Sequence, residues 1–111
     1  MKNIEVTNAT LRGEVNKMAE AKARFSAISG VDLGNNKIEV IYHFIKDYEP
    51  INLRMTLDFD EEIEHIHDIY PSAEMAENEL CEMFGVKVKG VVGRLELTEE
   101  DDVKTPLRRS E

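Results

Sequence analysis

Between residues 58 and 68 the chain gathers Asp58, Asp60, Glu61, Glu62, Glu64, His65, His67 and Asp68, the side-chain types that ligate zinc and related metals. His65 and His67 are two positions apart, so they share a face only on a strand, and no histidine follows them to complete a site of two or three imidazoles. A free-standing metal-binding protein or enzyme using this His65/His67 acidic cluster is the sharper reading. A solvated acidic loop is the plainer one, and the run of like charge favours it.

Glu77, Glu79 and Glu82 form a second cluster. Paired carboxylates do acid–base work when one of them is held in a desolvated pocket or beside a neutral partner, and nothing in the sequence supplies that pocket. Helical spacing sets Glu79 beside Glu82, an arrangement suited to hydrogen bonding or ion pairing at a protein contact. Cys81 is a nucleophile only with a base in reach, and no motif assigns His43, His65 or His67 to that role. The run Gly90, Val91, Val92, Gly93 lacks the lysine and the following helix of a phosphate loop. Met18, Met55, Met75 and Met83 suit packing in a core or an interface. No catalytic residue and no metal ligand is assigned.

The elements that position these residues follow from periodicity. Thr7 or Asn8 can cap a helix whose apolar residues Leu11, Val15, Met18, Ala21 and Phe25 recur at spacings of three and four. From residue 24 the period shortens to two, predicting a strand over 24–33, a turn at Gly34, Asn35 and Asn36, and a second strand over 37–45. That second strand is apolar on both faces and is expected at the centre of the sheet. After a break over 47–50, Ile51, Leu53, Met55, Leu57 and Phe59 alternate with Asn52, Arg54, Thr56 and Asp58, as on a strand with one wet face. In the acidic stretch Ile63, Ile66 and Ile69 fit a helical turn, while the composition also suits a loop. Pro71 and Ser72 open a second helix that Gly85 closes, with Ala76, Leu80, Met83 and Phe84 as its buried stripe and Glu74, Asn78 and Cys81 opposite. A short β segment is expected at 86–88. The fold class is α+β: a small antiparallel sheet of three or more strands against two helices, one domain over 1–97 with a polar tail over 98–111.

With 23 acidic and 14 basic side chains among 111 residues the formal charge is -9, which repels phosphate backbones and anionic lipid and argues against a nucleic-acid partner. A single cysteine makes no internal disulfide and supplies too few thiolates for an iron–sulfur cluster, a pattern that suits a reducing cytoplasmic compartment. With one lysine and no apolar run, residues 1–10 are not expected to form a signal peptide, and no run approaches the roughly 20 apolar residues of a membrane span, so direct membrane insertion is not expected.

Two segments carry a family likeness. Tyr70, Pro71, Ser72, Ala73, followed by Glu77, Asn78, Glu79, Leu80, Cys81, Glu82, Met83, Phe84, Gly85 and Val86, resembles the signature of the C-subunit family of NADH:quinone oxidoreductase (respiratory complex I), which includes the small subunit of energy-converting NiFe hydrogenases. Thr105, Pro106, Leu107, Arg108 and Arg109, preceded by acidic residues 99–102, is similar to that family's closing His-Pro-Leu-Arg-Lys. Asn78 stands in place of the family arginine, Met75 and Cys81 in place of bulky aromatics, and residues 90–94 depart from the family's Gly-His-Pro-Asp-Leu-Arg run. These departures lean towards the hydrogenase branch.

The resemblance implies a subunit without cofactor, seated in the hydrophilic arm of a membrane-associated redox complex. Its partners would be hydrogenase-large-subunit-like and iron–sulfur small-subunit-like proteins, on the cytoplasmic face of the membrane. It implies that Pro71, Glu77, Glu79, Glu82, Phe84 and Gly85 form the motif, with Phe84 on the sheet and Gly85 ending the helix. Pro106, Arg108 and Arg109 would then run along a partner.

Overall fold

The computed structural model describes residues 2–90; the expectations for 91–97, for the tail and for Pro106, Arg108 and Arg109 lie outside them. Eight elements follow one another: β1 (Lys2–Glu5), α1 (Leu11–Glu20), β2 (Arg24–Gly34), β3 (Lys37–Lys46), β4 (Glu49–Asp58), β5 (Glu62–Ile63), α2 (Ala73–Phe84) and β6 (Lys87–Val88). The fold is α+β, with a four-stranded sheet of order β1-β4-β3-β2. β2, β3 and β4 are antiparallel neighbours, as their patterning requires, and β3 is central. β1 adds a strand that the sequence did not announce, parallel to β4 with Ile4 beside Leu53. The sheet is therefore mixed.

Two tight turns build the antiparallel part. Asn35 and Asn36 both take positive φ between β2 and β3, and Asp47 and Tyr48 do the same between β3 and β4. Two residues at positive φ match the twist of a hairpin, which is why asparagine and aspartate serve there. Only Tyr48 is out of character, being nearly fully exposed. The expected break over 47–50 is thus shorter, and Pro50 already pairs with Ile45 at the strand's start.

Alternation puts Ile38, Val40, Tyr42 and Phe44 of β3 in register with Leu57, Met55, Leu53 and Ile51 of β4, all on one face. Leu11 and Val15 of α1 and Leu80, Cys81 and Phe84 of α2 are buried in the same core. The first helix is shorter than its periodicity suggested. It stops at Glu20, Lys22 turns left-handed with φ 64°, and Ala23 N–H donates to Met18 O at 2.9 Å. Phe25 consequently sits on β2, edge-on to Phe44 with centroids 5.7 Å apart. At the helix start Thr7 and Thr10 bond reciprocally, Thr7 N–H to Thr10 Oγ1 at 2.9 Å and Thr10 N–H to Thr7 Oγ1 at 3.3 Å, the logic of a capping box.

Residues 58–68 form no helix. Ile63 and Ile66 are fully buried, but Ile63 lies on β5, which pairs in parallel with β6, and Ile66 lies in the loop beyond it.

Candidate functional site

Helix α2 and the loop 64–72 make one unit. The buried residues of α2 are Ala73, Glu77, Leu80, Cys81 and Phe84, spaced as a helix must space a single face. Ser72 makes no side-chain cap; Ala73 N–H reaches Tyr70 O at 2.8 Å and Glu74 N–H reaches Pro71 O at 3.2 Å instead. At the other end Gly85 is left-handed with φ 74° and donates to Cys81 O at 2.9 Å, the helix stop that glycine provides without a Cβ penalty. Two features of the expected stripe are corrected. Met83 is 46% exposed and Ala76 only half-buried, whereas Cys81 and Glu77 point inward.

Glu77 is 1% exposed. Its Oε2 accepts from Ile66 N–H at 2.7 Å, and its Oε1 lies 2.9 Å from His67 Nδ1. Burial pushes this carboxyl above its ordinary value, against the two hydrogen bonds and the His67 charge that act the other way. The carboxylate therefore ties the loop to the helix from inside. His67 is stacked near His65, with ring centroids 4.6 Å apart.

A second tie closes the loop from outside. Arg12 on α1 grips Asp68 with two hydrogen bonds of 2.8 and 2.7 Å and donates to His65 O at 2.7 Å. Arg12 holds the Asp68 carboxyl well below the usual carboxylate range. Asn8 completes the closure, donating to Glu62 O at 2.7 Å and accepting from Glu64 N–H at 3.1 Å.

Two side chains of the acidic cluster that could do chemistry are thus engaged. Asp68 is taken by Arg12 and His67 by Glu77, and among the described residues no group of three or more His, Cys, Asp or Glu side chains is arranged to hold a metal ion. Cys81 is buried, and burial raises its thiol pKa, away from the thiolate that a nucleophile needs. No described helix is long and apolar enough to cross a membrane.

The motif residues divide into two groups. Glu77, Phe84 and Gly85 belong to the packed unit, with Phe84 lying so close over β2 that a Cβ at Gly30 would meet its ring at 2.6 Å. Pro71 and Glu79 are exposed and Glu82 half-buried; Glu79 and Glu82 line a shallow depression with Met75 and Asn78. Glu79 also borders a groove between α2 and β2, walled by Ile28, Ala76, Leu80, Met83 and Phe84. Sequence reasoning missed the burial of Glu77, although its position four after Ala73 and three before Leu80 marks it as part of the inward stripe. It missed Arg12 altogether and read Asn8 only as a candidate helix cap, since no local signal points from either to a loop more than 50 residues away.

Residues 4–111 match the family model described as the respiratory-chain NADH dehydrogenase, 30 Kd subunit. The NADH-quinone oxidoreductase C-subunit of Cereibacter sphaeroides is 34% identical over 79 residues, covering 65% of this chain and 40% of that protein. The corresponding protein of Ruegeria pomeroyi is 31% identical over 96 residues, 79% of this chain and 48% of the relative, and that of Roseobacter denitrificans is 29% identical over the same shares. The chain spans less than half the length of these relatives.

Proposed function

The chain belongs to the respiratory-chain NADH dehydrogenase 30 Kd subunit family, and from that premise we propose that it is a non-catalytic accessory subunit in the hydrophilic arm of a membrane-associated redox complex. The observation that carries this reading is the family match over almost the whole chain. Electron transfer then belongs to hydrogenase-large-subunit-like and iron–sulfur small-subunit-like partners, and this subunit supports the coupling of that transfer to ion translocation. The complex holds the chain peripherally on the cytoplasmic face of the membrane.

The arrangement of side chains supports a structural role. Glu77, His67 and Asp68 are engaged in holding the loop 64–72 on α2 and α1, while the outer face of α2 presents Met75, Asn78, Glu79 and Glu82. Methionine adapts to the shape of a partner, and arginine or lysine from that partner suits the carboxylates. Arg108 and Arg109 anchor the chain to the partner in the same way. Within the family the departures at Met75, Asn78, Cys81 and residues 90–94 favour the energy-converting hydrogenase branch.

Charge reversal at Arg109 (R109E) in the native complex tests this reading. Complex yield and electron-transfer activity are expected to fall while the isolated chain stays folded; unchanged yield and activity would overturn the anchoring role.

A further inference from the structure

The sheet face turned away from the two helices carries one line of side-chain hydrogen bonds that crosses all four strands. Ser29 Oγ on β2 lies 2.8 Å from His43 Nε2 on β3, and His43 Nδ1 lies 2.9 Å from Asn52 Oδ1 on β4. Asn52 Nδ2 donates to Asn3 Oδ1 on β1 at 3.1 Å. None of these residues takes part in the unit built around Glu77.

Arg54 sets the direction of the line. A guanidinium only donates, and that of Arg54 gives two hydrogen bonds to Glu39, at 2.9 and 3.2 Å, and one to Asn3 Oδ1 at 3.4 Å. Asn3 therefore turns its oxygen inward, and Asn52 meets it with its amide N–H. That leaves Asn52 Oδ1 facing His43, so the neutral imidazole carries its proton on Nδ1. Its Nε2 lone pair then faces the Ser29 hydroxyl, which donates to it.

This is the order of roles in a nucleophilic relay: a hydroxyl, a base within hydrogen-bond reach, and a third group that holds the base in one tautomer. The base is fixed in place, since His43 is half-buried between two partners and Asn52 is 7% exposed. Ser29 itself is half-buried beside exposed Ala27, so a small donor can approach it from solvent.

We propose that Ser29 is an acyl-acceptor site for activated acyl donors, aryl esters or thioesters, with His43 as general base and Asn52 as the residue that positions it. Ser29 Oγ forms a bond to the acyl carbon as its proton passes to His43 Nε2. The bond from that carbon to the aryloxide or thiolate breaks, and the electron pair departs with the leaving group, which His43 reprotonates where its basicity requires. The product is an acylserine ester.

The probe is p-nitrophenyl acetate with the purified full chain, read as p-nitrophenolate release and as the site of acetylation by tandem mass spectrometry. One acetyl ester is expected on Ser29, absent in S29A and unchanged in S26A, a control on the same strand. Loss of the base in H43Q is expected to slow the labelling roughly 100-fold or more. Acetyl groups confined to lysines and the α-amine, or labelling of Ser29 no faster than of Ser26, overturns the proposal, and this comparison needs only the unaltered chain. Equal labelling rates in a folded H43Q overturn it too. The outcome is independent of the accessory-subunit reading.

Discussion

The Glu77 carboxylate sits inside the molecule, 2.9 Å from His67 Nδ1, and accepts the Ile66 N–H with its other oxygen. An acid in this position joins the family motif on α2 to the loop before it. Removing it in E77A leaves a buried N–H unpaired and opens a cavity, so unfolding in urea is expected to show a loss of roughly 2–4 kcal/mol. E77Q keeps an oxygen for Ile66 and an amide for His67, which changes tautomer, and is expected to lose only about 1 kcal/mol. Equal losses in the two variants would show that the hydrogen bonds contribute little.

Glu77 and Asp68 bend the pH dependence in opposite senses. The folded Glu77 carboxyl lies above its unfolded value of 4.5, so the native state holds its proton longer, and stability falls as pH rises from 4.5 through the folded value. The folded Asp68 carboxyl lies below its unfolded value of 3.8, so its contribution is complete above that pH and is lost as pH falls through the folded value. Compared with the unaltered chain, E77Q is expected to gain in relative stability on going from acid to neutral pH. D68N is expected to flatten the acid limb, with an effect at neutral pH below about 1 kcal/mol because the ion pair is exposed to solvent. Parallel stability curves for all three proteins would contradict both assignments.

Gly30 lies under the Phe84 ring because no Cβ fits there. G30A is expected to cost about 1–3 kcal/mol by overpacking. F84A is expected to cost roughly 3–5 kcal/mol through the cavity it leaves. The two sites touch, so G30A combined with F84L is expected to be more stable than the sum of the single effects. Strict additivity in a double-mutant cycle would contradict the contact.

The turn at Asp47 and Tyr48 places two non-glycine residues at positive φ, and the tyrosine is 99% exposed. Replacement by Asn-Gly removes no packing and suits the turn's geometry, so thermal unfolding is expected to show a gain of about 0.5–1 kcal/mol. A loss would mean that the exposed ring contributes to folding through some other contact.

Periodicity made both helices and the three antiparallel strands legible, because each buries one face and its turn residues lie next to it in sequence. β1 was not legible: its four residues show no apolar run, and what holds it is pairing to β4 some 50 positions later. Phe25 continued the spacing of α1, yet the left-handed Lys22 ended that helix and gave Phe25 to the sheet. The motif on α2 was legible as a family likeness, but its division into an inward Glu77 and outward Glu79 and Glu82 was not taken from the stripe that contains it. The line from Ser29 to Asn3 needed the register of four strands before its residues could be seen together.

The most direct test of the accessory-subunit reading is affinity purification of the tagged chain from gently solubilised membranes of its native host, with mass spectrometry of what accompanies it and metal analysis of the isolated subunit. Recovery of iron–sulfur and NiFe-type or quinone-reductase subunits in fixed proportion, with the isolated chain free of metal, is the result expected. A monomer recovered without partners and carrying stoichiometric metal would contradict it.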